Sequence, residues 1–163
     1  MSTLYLIRHG IAADQKLYNN DDERPLTEKG DRKTQKVAQQ LKQFDLQFDI
    51  IFTSPLIRAK QTATILQTQG LSSCLEEFSA LAPDGDIKHL LAWHQEQSQF
   101  NTIALVGHQP DLGNWAELLV WGETRGVLVL KKAGIIGLTL PQTGSPLGQS
   151  QLFWLTPPRF LIE

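Results

Sequence analysis

Leu4-Tyr5-Leu6-Ile7-Arg8-His9-Gly10 begins as an apolar run and breaks at a charged residue, a histidine and a glycine. That pattern predicts a buried β-strand ending in a turn. The pattern returns twice. Asp49-Ile50-Ile51-Phe52-Thr53 gives way to Ser54-Pro55, and Ile103-Ala104-Leu105-Val106 gives way to Gly107-His108-Gln109-Pro110. Between these runs the apolar spacing changes to that of helices. Residues 12–24 are polar and acidic and read as a surface loop. Thr27 then suits a helix N-cap, with Glu28 in the first turn and Thr34, Val37, Ala38, Leu41 and Phe44 at helical spacing.

Ser54 as N-cap and Pro55 at the first helical position predict a second helix through Ala59, Ala63 and Leu66, stopping at Gly70. Residues 74–78 suit a short edge strand, and Asp86 a cap for a helix through Leu90, Leu91 and Trp93. A further helix carries Leu112, Trp115, Leu118 and Leu119. Residues 134–140 and 151–155 read as a hairpin joined by the turn-rich stretch 141–150. No element is assigned to the Pro157-Pro158 tail. Strands alternating with helices imply a layered α/β domain spanning 1–163, with a mainly parallel sheet and an antiparallel edge.

The composition is that of an ordinary globular protein: 163 residues, 41% hydrophobic and 20% charged. A formal net charge of -2 gives no global basic field for nucleic acid. A single cysteine, Cys74, excludes an intrachain disulfide and a thiolate metal cluster. Met1-Ser2-Thr3 runs directly into a strand pattern without a basic and then apolar leader. No apolar run approaches the ~20 residues of a membrane span. The expectation is a cytoplasmic protein with no membrane or nucleic-acid partner. His89 and His94 lie five apart, off the i, i+4 spacing of helical metal ligands, and read as a solvated face. Trp93, Trp115, Trp121 and Trp154 fall at packing positions, and Lys131-Lys132 is too short for a nucleic-acid patch.

Ligands of open α/β sheets bind beyond the carboxyl ends of strands. If the three strands above are neighbours, His9, His108, Arg8 and Arg58 converge on one crevice. Arginine offers a planar, permanently charged fork for phosphate oxygens. A histidine can act as covalent nucleophile, and a second one, protonated, can stabilise charge on the equatorial oxygens. Alone, Arg-His-Gly suits a turn with a solvated arginine, and Gly-His a structural histidine. Agreement of three strand ends on one chemistry favours the catalytic reading.

Leu6-Ile7-Arg8-His9-Gly10, the run from Ser54 to Thr62 and Val106-Gly107-His108 resemble, in order and spacing, the motifs of the histidine phosphatase superfamily, which includes the cofactor-dependent phosphoglycerate mutases. The run Arg24-Pro25-Leu26-Thr27-Glu28-Lys29-Gly30 is similar to the family's segment opening the first helix. With Leu81-Ala82-Pro83-Asp84-Gly85-Asp86 and the short length, it is most similar to the SixA-type phosphohistidine phosphatases. The resemblance implies a three-layer α/β/α, phosphoglycerate mutase-like fold. His9 would be the phosphoryl acceptor, and Arg8, Arg58 and His108 the phosphate pocket with Arg24 as a further member. No metal or other cofactor is implied. The implied partner is a phosphohistidine-bearing protein such as a phosphotransfer domain of a signalling relay, met by a monomer or weak oligomer.

Larger members of the superfamily carry a glutamate that protonates the leaving alcohol, but residues 78–86 lack one in that context, with Glu76 and Glu77 just upstream. An alkoxide leaves badly, its conjugate acid having a pKa near that of water, ~16. Imidazole accepts a proton at ~6.5 and departs without a strong acid. The missing glutamate is therefore consistent with phosphohistidine as substrate. Asp84 and Asp86 remain candidate acids, although a turn or cap role is favoured for each. Around Asp21, Asp22 and Glu23 a solvated loop is favoured over a charged rim that repels small polyanions. Two rival functions stay open: a phosphomonoesterase for small metabolites such as sugar phosphates, and a module that binds phosphoproteins without hydrolysis.

Overall fold

The structure is a computed structural model and describes residues 1–97 and 99–162. Six strands form one sheet: β1 (Ser2–Arg8), β2 (Ile50–Thr53), β3 (Leu75–Glu77), β4 (Thr102–Gly107), β5 (Ile135–Leu140) and β6 (Gln151–Thr156), in the order β3-β2-β4-β1-β5-β6. Pairings β3-β2, β2-β4 and β4-β1 are parallel, and β1-β5 and β5-β6 antiparallel. This is the expected parallel sheet with an antiparallel edge. β2, β4 and β1 are adjacent, so their carboxyl ends open on one margin, with Arg8 opposite Gly107 and Thr53 opposite Val106.

Alternation along β1 shows why helices cover both faces. Leu4 and Leu6 point into one apolar core, filled from the other side by α3 (Ile87–Glu96) and α4 (Asp111–Trp121). Tyr5 and Ile7 point into the second, filled by α1 (Glu28–Gln43) and α2 (Ile57–Thr68). Side chains in a strand alternate between faces, so a run apolar at every position must be buried on both. The architecture is three-layered, α/β/α.

α1 begins where its sequence directs. Thr27 accepts the Gly30 N–H at 2.9 Å, a cap worth ~1 kcal/mol, and the helix buries Thr34, Val37, Ala38 and Leu41. Gly30 is required by close approach, since a Cβ there would lie 2.1 Å from the Ile11 carbonyl oxygen. Asp86 caps α3 by accepting from Lys88 N–H, as its position predicts.

Two expectations are corrected. The second helix starts at Ile57, not Pro55, and its cap residue Leu56 makes no side-chain bond. Ser54 is engaged elsewhere. The tail also folds: Arg159–Ile162 forms a short α5, with Leu161 and Ile162 against the second core. Among the described residues, no helix is long and apolar enough to cross a membrane.

Candidate active site

His9 follows the last residue of β1 and is 5% exposed. Its Nδ1 lies 2.7 Å from the Gly10 carbonyl oxygen. A carbonyl only accepts, so Nδ1 carries the proton and Nε2 holds the lone pair. Arg58, in the first turn of α2, donates from Nε toward that lone pair at 3.4 Å. The His108 ring, just past β4, faces His9 with centroids 5.2 Å apart. The two histidines and Arg58 thus converge as expected from sequence.

The turn carrying His9 is stitched to its neighbours. Gly10 N–H donates to Thr62 Oγ1 at 3.0 Å, and that hydroxyl donates to the Arg58 carbonyl at 2.8 Å. A Cβ on Gly10 would stand 2.3 Å from Thr34 Oγ1, so only glycine lets α1 pack this near. Ser54 Oγ lies 2.8 Å from His108 Nε2 and accepts the Leu56 N–H. It orients the second imidazole rather than capping a helix. Arg8 donates from Nη1 to the Leu130 carbonyl at 3.0 Å. Among the described residues, Arg8 Nε and His108 Nδ1 are buried without a protein partner.

Arg24 stands at the rim, donating to Asp21 Oδ1 at 2.9 Å and to the Ala13 carbonyl at 3.0 Å. Asp21 is the residue that sequence reasoning placed wrongly. The loop is not simply solvated but turns twice as short 3-10 segments, Gln15–Leu17 and Asp21–Glu23. Asp21 bridges both arginines. Its Oδ2 accepts from Arg58 Nη2 at 2.9 Å, and its carbonyl from Arg58 Nη1 at 2.8 Å. Burial acts to raise its pKa, but the bonds and charges of Arg58 and Arg24 outweigh it and hold the carboxyl below its usual range. A usable signal was present: an acid three residues before Arg24, one turn of a short helix. Glu117 was also missed. Fully buried on α4, it accepts the N–H groups of Arg125, Val127 and Leu128, and so anchors the chain leading to Leu130.

Burial and the surrounding cations keep both imidazoles neutral. For His9, burial dominates and the nearby His108, Arg58 and Arg8 add to it, bringing the pKa to about 3 against the raising effect of the Gly10 bond. For His108, burial, then Arg58, Arg8 and Arg24, bring it to about 4, against the opposing charge of Asp21. A neutral His9 has its lone pair available. The unfolded chain, with ordinary histidines, binds more protons than the folded one from about pH 6.5 down to those values. Stability should therefore fall as pH drops through that window, by at most about 1.4 kcal/mol per pH unit for each group. Thermal melts from pH 7 to pH 4 check this, with a shallower decline expected in His9→Gln and His108→Gln.

Asp86 is engaged as a helix cap, and Asp84 sits exposed in a turn at φ 67°, its N–H donating to Asp111 Oδ2 at 2.9 Å. Both hold the local roles favoured from sequence. His94 is not simply solvated, since its Nε2 lies 3.0 Å from Ser2 Oγ. Among the described residues no three His, Cys, Asp or Glu side chains are grouped as metal ligands.

Residues 4–81 match the model of the histidine phosphatase superfamily, branch 1. An uncharacterized protein of Picosynechococcus sp. strain PCC 7002 is 48% identical over 165 residues, covering 98% of each chain. Phosphohistidine phosphatase SixA of Escherichia coli is 28% identical over 145 residues, 87% of this chain and 88% of that one. The solved structure of the protein histidine phosphatase SixA complexed with tungstate superposes with a TM-score of 0.84 at 26% identity, covering 98% of this chain and 99% of that one. With the sheet order, the paired histidines and these relatives in agreement, the chain belongs to the histidine phosphatase superfamily, with a phosphoglycerate mutase-like fold and SixA-type phosphohistidine phosphatases among its relatives.

Proposed function

We propose that the protein is a metal-independent phosphohistidine phosphatase that works through a phospho-His9 intermediate, in the cytoplasm, on a phosphotransfer protein. The observation that carries the reading is the orientation of His9: Nδ1–H held by the Gly10 carbonyl, and the Nε2 lone pair facing Arg58 beside the second imidazole. The tungstate complex of SixA, a tetrahedral oxyanion on a related chain, supports it.

In the first step the His9 Nε2 lone pair forms a bond to phosphorus while the bond to the substrate's imidazole nitrogen breaks. The departing nitrogen keeps the electron pair and is neutralised by a proton. Arg8, Arg58 and Arg24 hold the equatorial oxygens. An arriving dianion reverses the balance that keeps His108 neutral, so His108 gains a proton and donates to the phosphoryl group. Water then attacks phosphorus, and His9 leaves with its lone pair restored. One P–N bond is exchanged for another of the same type, so no strong acid is needed at the leaving group. The cap role of Asp86 and the turn position of Asp84 fit this chemistry.

A substrate panel tests the reading: a phosphohistidine protein, a phosphoserine peptide and a sugar phosphate, each with and without chelator. Turnover confined to phosphohistidine and unaffected by chelator is expected. Efficient sugar phosphate hydrolysis with none on phosphohistidine would replace it with the small-metabolite reading, and stoichiometric binding without phosphate release with the binding-module reading.

Asp21 gives a separate expectation. Asp21→Asn removes a carboxylate from the arginines that receive the anion. Inorganic phosphate should bind about ten-fold more tightly by titration calorimetry, the size expected for one like charge removed at a partly solvated site.

A further inference from the structure

A cavity of about 1000 Å³ opens beside Arg8, far larger than one phosphoryl group requires. Lys33 from α1, Lys131 and Lys132 from the loop before β5, and Arg159 from α5 line it together with Arg8. Among the described residues no carboxylate lines the cavity, and none of these cations is in an ion pair. In a chain of net charge -2, this concentration is local, not a general basicity. The pair Lys131-Lys132, too short in sequence to mark a patch, becomes one when the fold adds cations from two other elements.

The walls are aliphatic. Val129 and Leu155 are 54% and 42% exposed, and Ile11 and Pro157-Pro158 complete the lining. Among the described residues no aromatic side chain lines the cavity, and the exposed Phe160 ring beside it is already covered by the Arg159 guanidinium at 4.7 Å, which disfavours single-stranded nucleic acid. Cations on an aliphatic floor suit a polypeptide carrying carboxylates on methylene stems. The groove is also fastened to the reacting segment: the Ala133 N–H lies 3.1 Å from the carbonyl oxygens of both Arg8 and His9, and Arg8 Nη1 donates to Leu130.

We infer that this groove docks an acidic polypeptide segment flanking the phosphorylated residue of the substrate protein. The inference rests on the phosphohistidine reading for its partner, yet the groove is testable without it. An unphosphorylated Glu/Leu dodecapeptide, fluorescently labelled, is titrated against wild type and against K131E/K132E. Both lysines are exposed, so the variant keeps its fold, which a thermal melt verifies. Binding at low salt is expected, at least about ten-fold weaker in the variant and lost in high salt. A Gln/Leu peptide should not bind. Turnover of a small phosphoramidate should be the same in both proteins, whereas a phosphohistidine peptide with glutamate flanks should lose kcat/KM only in the variant.

Equal binding of the acidic peptide to both proteins overturns the inference, as does tighter binding of an oligothymidylate through the same lysines. Variant-sensitive peptide binding without any phosphohistidine turnover upholds the groove and removes the phosphohistidine reading. Phosphohistidine turnover indifferent to flanking charge and to the variant does the reverse.

Discussion

Replacing His9 with alanine should reduce turnover by about 10⁴-fold or more and abolish the acid-labile phosphoenzyme trapped by rapid quench with labelled substrate. The expectation follows from the one His9 ring nitrogen that carries a lone pair, Nε2. Nδ1 is committed to the Gly10 carbonyl at 2.7 Å, so no other atom of His9 can attack. His108 does not substitute for it in the proposed mechanism: its Nε2 is held by Ser54 at 2.8 Å, and its unpartnered Nδ1 is the atom that donates to the phosphoryl group. His9→Asn sharpens the experiment. Its amide keeps a donor for the Gly10 carbonyl but has no nucleophilic ring nitrogen. It should be as inactive as His9→Ala while binding inorganic phosphate with little change. Full activity in either variant would end the mechanism.

Arg58→Ala should lower kcat/KM by about 10³-fold, within the range found for arginines that stabilise phosphoryl transfer. Arg58 is 4% exposed and its guanidinium serves two roles at once: Nε faces His9, and the two terminal nitrogens hold Asp21. Arg58→Lys should recover little, since a single ammonium cannot match a fork with partners on two sides. A second readout separates this from general damage. After burial, Arg58 is the largest cause holding the His108 pKa down. NMR titration of Arg58→Ala should find His108 shifted upward, toward an ordinary imidazole. An unchanged His108 together with full catalysis would remove Arg58 from the pocket.

The fold was legible because its strands are apolar at consecutive positions. A run such as 103–106 has no polar face to turn outward, so it belongs in a sheet covered on both sides, and the helical segments between the runs supply the covers. His9, Arg58 and His108 were legible because each follows a strand whose end is marked by a turn residue. Other elements depended on contacts that sequence order does not display. Ser54-Pro55 carries helix-start chemistry, yet the hydroxyl is directed to a histidine 54 residues away. The tail after Pro158 is short and weakly patterned, and it is helical where Leu161 and Ile162 meet the second core. Asp21 looked like one more charge in an acidic loop, since its partner Arg58 lies 37 residues on. Glu117 carried a clue that went unread: an acid amid buried positions on a mostly apolar helix must find donors inside, and it finds them in backbone N–H groups.

On the proposed function, the bridge made by Asp21 makes phosphoryl entry a replacement, not an addition. A monovalent ion that displaced the carboxylate would exchange one negative charge for another and gain little, whereas a divalent group leaves the two guanidiniums better neutralised than before. On the proposed function the pocket should therefore select by valence before it reads shape, with chloride, abundant in any cell, competing poorly for a place that a phosphoryl dianion would take readily.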